Sequence, residues 1–314
     1  MTVAVIGPGA LGTLLGALLG RSGAHVWMLD HSAERAAAIA ARGLRVEGGS
    51  RAWSTRVRAT ARAAKVPAPD LILICVKTYD TAAAGASAAR IRGEAPVLTL
   101  QNGLGNVEAL GRAVGRRRVL GGTAALGSTL LGPGRVRSAG VHGLVLAEPG
   151  GRVTPRLEAA AATFRGADIP VSVSRDLPAA LWTKAIVNCA VNPVGALVRL
   201  RNGDLLDSPS ARRCMRLAAA EGAAVAAAKN IALAHRNMAR QVEAVCRATA
   251  QNLNSMLQDI LLGRRTEVDA INGAVVRSGR AVGVATPVNA ALWRLVKALE
   301  EGADRRVRAD ALKR

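Results

Sequence analysis

A five-residue strand pattern, Thr2-Val3-Ala4-Val5-Ile6, runs straight into Gly7-Pro8-Gly9-Ala10-Leu11-Gly12 and then into an apolar helical stretch. GxGxxG spacing alone is weak in a chain with 33 glycines. The context makes it specific: the loop follows a strand, opens a helix, and is succeeded by a second strand that ends at Asp30. Glycines at these positions permit the tight turn and let a pyrophosphate approach a helix N-terminus. Pro8 removes one backbone N–H, but the donors that face the phosphates come from the residues after Gly9. Gly7, Pro8, Gly9, Ala10, Leu11 and Gly12 are therefore read as a dinucleotide cradle, with a plain glycine turn as the alternative. Asp30 stands 18 residues past Gly12, where a carboxylate accepts from ribose hydroxyls and repels a 2'-phosphate. On this chemistry NADH is favoured. His31 and Arg35 stand near enough to offer a phosphate partner, and a helix cap is the other reading of Asp30.

Through the first half of the chain, short apolar runs alternate with Ala-rich helical stretches. Residues 2–6, 25–29, 71–76 and 96–100 read as strands, with further ones at 119–120, 141–147 and 169–173. Such alternation implies right-handed crossovers and a doubly wound parallel sheet. After Asp176 the strand signals stop, and helices are expected over 176–192, 210–229, 238–252, 255–262, 266–277 and 287–300. The expected fold class is thus α/β: an N-terminal Rossmann-type doubly wound parallel sheet over 1–175, followed by an all-α C-terminal domain over 176–314. The active site is expected in the cleft between them. Thr266 followed by Asp269 has capping-box spacing, and Thr286-Pro287 reads as an N-cap with proline at the first helical position. Only the basic tail from about Asp304 looks loose.

Within the first helix of the second half, Lys184, Asn188 and Asn192 recur every four residues and so share one face. Asp176 reads as the N-cap of that helix, Pro178 lies in its first turn, and Pro193 is expected to end it. Ala185, Ile186, Val187, Ala190 and Val191 bury most of the remaining circumference. A buried ammonium needs polar company, which leaves two readings: a self-satisfied internal network, or a substrate site with Lys184 as acid and the amides as clamps.

A net charge of +21 invites a nucleic-acid hypothesis, but the basic residues are scattered and six aromatics offer little for stacking on bases. No specific nucleic-acid binding is expected. The positive field serves instead to draw in anionic cofactors and acidic substrates. Cys75, Cys189, Cys214 and Cys246 are widely spaced, and His25, His31, His142 and His235 form no cluster, so free thiols and no metal are expected. No apolar run approaches a membrane span, and the strand pattern begins too early for a signal peptide, so a cytoplasmic location is expected, with no membrane partner.

Six strings in order carry a resemblance: Gly7-Pro8-Gly9-Ala10-Leu11-Gly12; Cys75-Val76-Lys77-Thr78-Tyr79; Gln101-Asn102-Gly103-Leu104-Gly105-Asn106; Leu181-Trp182-Thr183-Lys184; Asn254-Ser255-Met256-Leu257-Gln258-Asp259; and Arg265 through Gly273. Together the six strings resemble the ketopantoate reductase family over nearly the whole chain. The resemblance implies NADP(H)-dependent reduction of 2-dehydropantoate to pantoate, a step of pantothenate biosynthesis. It also implies Lys184 as general acid, Glu267 as a carboxylate near it and the cofactor, and Asn188, Asn192, Asn202, Asn252 and Ser255 as substrate contacts. Lys77 and Asn102 fall at the cofactor end, Asn102 reaching both ligands. The departure is Asp30-His31, where members that use NADPH often carry Arg.

Each of these residues also has a purely structural reading. Lys77 can be a solvated strand-end charge, Asn102 a turn residue before Gly103, and Glu267 a first-turn acid. Asn202 and Asn252 can serve turns or caps, and Ser255 can be an N-cap. Two rivals to the family's reaction stand beside it: a sister 2-ketoacid or β-hydroxyacid dehydrogenase, and a non-catalytic dinucleotide sensor. A homodimer is compatible with the helical half, though no exposed stripe demands one.

Overall fold

In a computed structural model, the structure describes residues 1–49 and 51–305. The chain falls into two compact units, Met1–Leu181 and Trp182–Arg314.

Unit 1 opens with β1 (Thr2–Ile6), α1 (Ala10–Arg21), β2 (His25–Leu29), α2 (Ala33–Arg42) and three short strands, β3 (Leu44–Glu47), β4 (Trp53–Thr55) and β5 (Arg58–Thr60). It continues through β6 (Leu71–Ile74), α3 (Thr81–Ala89), β7 (Val97–Thr99), α4 (Asn106–Val114), β8 (Val119–Gly132), β9 (Arg135–Ala147), α5 (Pro155–Arg165) and β10 (Val171–Ser174). All belong to one sheet of order β4-β3-β9-β8-β7-β6-β1-β2-β5, with β10 on β9. The central run β8-β7-β6-β1-β2-β5 is wholly parallel. β1 lies at its middle, and its alternation explains why the core has two layers: Val3 and Val5 pack with Leu14 and Leu15 of α1, while Ala4 and Ile6 pack with Ile72, Ile74 and Val97.

The expected α/β architecture holds, with a difference at one side. Where two short edge strands were expected at 119–120 and 141–147, β8 and β9 form a long antiparallel hairpin around Pro133-Gly134. Three register shifts interrupt it, and half-buried Gly, Ser and Thr dilute the apolar alternation that would have marked the strands in sequence. Strands β3, β4 and β5 were not anticipated either. They are three or four residues long, with exposed Arg45, Ser54 and Arg58 breaking the pattern.

Unit 2 is helical: most of α6 (Leu177–Val198), then α7 (Pro209–Ala228), α8 (Met238–Ala248), α9 (Ser255–Leu261), α10 (Asn272–Ala281) and α11 (Pro287–Glu301). Asp176 caps α6 as expected, its carboxylate accepting from Ala179 N at 2.8 Å. Three expectations fail. Pro193 does not end α6, which runs on to Val198. The segment from Thr266 to Ile271 is a turn, not a helix: Thr266 Oγ1 accepts from Val268 N and donates to Glu300 instead of closing a capping box with Asp269. Finally, α8 stops at Ala248, because residues 249–252 turn back toward residues 202 and 203. α6 is also long and apolar enough, by composition, to cross a membrane, where no such run was expected. Yet 67% of its most apolar window is buried inside the protein, as befits a core helix. The basic tail expected from about Asp304 lies, beyond Arg305, outside the described residues.

Candidate active site

The glycine loop takes the conformation its sequence requires. Gly7 has φ +92°, and a Cβ there would lie 2.4 Å from Val76 Cγ1, so neither the backbone angle nor the space admits a side chain. Gly12 faces the loop's own backbone: a Cβ would meet Gly7 O at 2.3 Å. Gly9, the N-cap of α1, is different, because its nearest neighbour would be Cys75 O at 3.9 Å. Two of the three glycines are therefore demanded by packing, whereas the middle one leaves open room at a helix N-terminus. Such an arrangement fits a pyrophosphate.

Asp30 follows β2 and is 2% exposed. Its Oδ1 accepts from Ser32 N at 3.0 Å and its Oδ2 from Arg35 Nε at 2.8 Å, while Arg35 Nη2 reaches back to the Pro8 carbonyl at 3.4 Å. The carboxylate is thus held rigidly beside the glycine loop, and the Arg35 guanidinium is turned inward onto it. The cap of α2 is Ser32 and not Asp30.

Lys77 and Asn102 follow the carboxyl ends of β6 and β7, adjacent parallel strands. The Asn102 carbonyl accepts from Thr78 Oγ1 and from Asn106 Nδ2, each at 2.9 Å, so it ties the two loops together. Sequence reasoning passed over Gln101. Buried two residues past the end of β7, Gln101 donates to Val76 O at 2.9 Å and to Thr81 Oγ1 at 2.8 Å and accepts from Thr99 Oγ1 at 2.9 Å. The signal was a buried-strand pattern running into a long amide, which must satisfy both ends once covered.

In unit 2, Lys184, Asn188 and Asn192 share one face of α6, while Ala185, Ile186, Val187, Ala190 and Val191 are all buried. Burial pulls the Lys184 ammonium down to about 8, and the Glu267 carboxylate pulls it part of the way back up. Lys184 keeps some accessible surface, as does Asn188; the pKa follows from the protein packed around the charged end and not from complete enclosure. Among the described residues neither Asn188 nor Asn192 makes a side-chain hydrogen bond, although Asn192 is only 6% exposed. Those two amides are not part of a self-satisfied network, which was the alternative reading of the stripe.

The remaining residues converge around the far end of α6. Gly195, one turn past Asn192, lies so close to Asn254 that a Cβ would sit 2.3 Å from its Nδ2. Asn254 caps α9 by accepting from Leu257 N at 2.9 Å, which leaves Ser255, first residue of that helix, without the capping role. Asn202 N donates to Asn252 O at 3.1 Å, and Asn202 Nδ2 donates to Thr249 Oγ1 at 2.9 Å; its buried Oδ1 has no partner among the described residues. Asn202 and Asn252 therefore do serve a turn, as the structural alternative held, though one acceptor is left over. Among the described residues no group of three or more His, Cys, Asp or Glu stands close enough to hold a metal.

A model of the family described as ketopantoate reductase PanE/ApbA matches residues 3–151, and its C-terminal counterpart matches residues 176–300. The chain is 36% identical to the 2-dehydropantoate 2-reductase of Halobacterium salinarum, over 95% of this chain and 98% of that protein. To the Archaeoglobus fulgidus protein of the same name it is 35% identical, over 96% and 98%. Among solved structures, a 2-dehydropantoate 2-reductase from Geobacter metallireducens superposes with a TM-score of 0.89 at 31% identity, covering 95% of this chain and 99% of that one. A D-mandelate dehydrogenase solved with NADH and anilino(oxo)acetate gives 0.88 at 26% identity, over 97% and 100%.

Proposed function

Because this chain belongs to the ketopantoate reductase family, we propose that it reduces the C2 ketone of 2-dehydropantoate to pantoate, serving pantothenate and coenzyme A biosynthesis in the cytoplasm. The observation that carries the reading is Lys184, a buried ammonium that shares a helix face with Asn188 and Asn192, whose amides make no side-chain hydrogen bond among the described residues, and that feels the Glu267 carboxylate. A reduced nicotinamide, when bound, would supply the hydride. As it adds to C2, the carbonyl π pair moves onto oxygen, and Lys184 both stabilises that growing charge and transfers a proton to it. The lysine is left as a neutral amine, which the solvent reprotonates. Arginine in its place would stabilise the charge but not release a proton. Asn188, Asn192, Asn202, Asn252 and Ser255 donate to and accept from a hydroxylated acid without competing as acids. Glu267 keeps Lys184 protonated at neutral pH. Lys77 and Asn102, at the strand ends, hold the cofactor, Asn102 also reaching the substrate.

Gly9, with open space at the N-terminus of α1, fits the pyrophosphate, and Asp30 fits a ribose diol. NADH is the preferred cofactor over NADPH: the Asp30 carboxylate stands beside the glycine loop and engages Arg35, so the Arg35 guanidinium is turned away from a 2'-phosphate. Catalytic efficiency is expected to be at least tenfold higher with NADH, about 1.4 kcal/mol. Asp30→Asn, which keeps the shape and releases Arg35, should narrow that ratio. A native enzyme that prefers NADPH would refute the role given to Asp30.

The likeness to D-mandelate dehydrogenase favours a second reading, in which the substrate is another 2-keto acid. A panel of 2-keto acids assayed for consumption of reduced nicotinamide decides between them. The proposal expects the highest kcat/KM with 2-dehydropantoate, and a clear preference for an aryl keto acid would replace it.

A further inference from the structure

Pro193 has no N–H to give the carbonyl of Cys189, its i−4 neighbour in α6, yet the helix passes through without ending. Cys189 is fully buried, so its carbonyl cannot turn to water. Asn272, the first residue of α10, supplies the missing donor: its Nδ2 lies 2.8 Å from Cys189 O. The same nitrogen donates to Asn289 Oδ1 at 3.0 Å, and Asn289 Nδ2 donates to Ala218 O at 3.0 Å and Glu221 Oε2 at 2.8 Å. Glu221 also accepts from Val288 N and Asn289 N, satisfying the N-terminus of α11 where Thr286 makes no side-chain cap. Asn272 and Asn289 are both 0% exposed, and Asn272 Oδ1 has no partner among the described residues. An amide kept in a core with its oxygen unanswered is kept for its two N–H groups.

The place where this donor acts is what gives it consequence. Cys189 follows Asn188 directly, and Pro193 follows Asn192, so the interrupted bond lies between the Lys184–Asn188 turns and the Asn192 turn. On its other side Asn272 terminates the turn that carries Glu267: Ile271 N donates to Glu267 O, and Gly273 N to Val268 O, each at 3.0 Å. We propose that Asn272 is a positioning residue. By taking the place of the N–H that Pro193 lacks, it fixes the Asn192 turn relative to the Lys184 turns and locks the Glu267 turn against the same helix. Resting on the function proposed above, this inference adds a residue that touches neither substrate nor cofactor.

The test is a double-mutant cycle between Asn272→Leu and Pro193→Ala, because alanine at 193 restores the helical N–H and makes the amide dispensable for the Cys189 carbonyl. Asn272→Leu alone is expected to raise the KM for the keto acid roughly tenfold, since misplacements of this kind cost up to about a hundredfold, and to leave the cofactor KM unchanged. A general loss of stability would reduce the active fraction and move neither KM. In the Pro193→Ala background the same substitution should change the keto-acid KM by less than about threefold and lower Tm by clearly less than it does alone. An unchanged keto-acid KM in Asn272→Leu, or equal Tm losses in both backgrounds, would overturn the proposal. Should Asn272→Leu alone fail to fold, the double variant decides: recovery of a folded enzyme supports the coupling, and failure refutes it. The Tm cycle needs no substrate, so an error in the assigned keto acid would leave its outcome unaffected.

Discussion

Lys184→Ala is expected to lower turnover by roughly 10²- to 10⁴-fold, the span that a positioned general acid contributes, while the dissociation constant for NADH stays within about threefold. The asymmetry follows from where the groups stand. The glycine loop and Asp30 belong to unit 1, and Lys184 belongs to unit 2, where burial and Glu267 set its properties. On the proposed mechanism, removing the amine removes a proton and a positive charge from the reacting oxygen, while the residues of the glycine loop are unchanged. Pre-steady-state reduction of the keto acid, alongside fluorescence titration of NADH, separates the two quantities. A variant with near-normal turnover would remove Lys184 from the chemistry altogether.

The glycine loop predicts a second large effect, and one with an internal control. Gly12→Ala forces a Cβ to within 2.3 Å of the Gly7 carbonyl, a contact the loop backbone must move to relieve. Overpacking against backbone costs about 2 kcal/mol or more, which for a unit of this size lowers Tm by roughly 4–8 °C. Gly9→Ala meets nothing closer than 3.9 Å and should leave Tm within about a degree. Its methyl group instead occupies space the pyrophosphate needs, so KM for NADH should rise at least tenfold, about 1.4 kcal/mol. Thermal melts and NADH kinetics on both variants check the pair. If Gly9→Ala melted early, or kept its native NADH affinity, the loop would not be the cradle described.

How much could be read in advance depended on how local each signal was. The parallel core was legible because β1 and β6 are continuous apolar runs and the glycine loop marks the turn from β1 into α1. The β8–β9 hairpin was not, because its glycines, serines and threonines hide its alternation and its register is set by partners far away in sequence. At the site, the stripe of Lys184, Asn188 and Asn192 follows from helical spacing alone. Pro193 misled for a physical reason: proline breaks a helix when the carbonyl it strands has nowhere to turn, and here Asn272, 79 residues later, receives it. Thr266 misled in the same way, its hydroxyl being claimed by Glu300 from α11. Neither long-range partner leaves a trace in the window where the helix boundary is judged. Gln101 lay inside a string already noticed, and its role came into view only once its three partners, Val76, Thr81 and Thr99, were placed around it.

The measurement closest to the central claim is the pH dependence of kcat for keto-acid reduction under saturating NADH. Lysine donates only when protonated, and here burial has lowered its pKa from 10.5 to about 8 against the opposing pull of Glu267. The rate should therefore be level below that value and fall tenfold per pH unit above it, with the break absent in Lys184→Ala. A profile that stays flat through pH 10, or a break that survives in the Lys184 variant, would contradict the assignment of Lys184 as the proton donor.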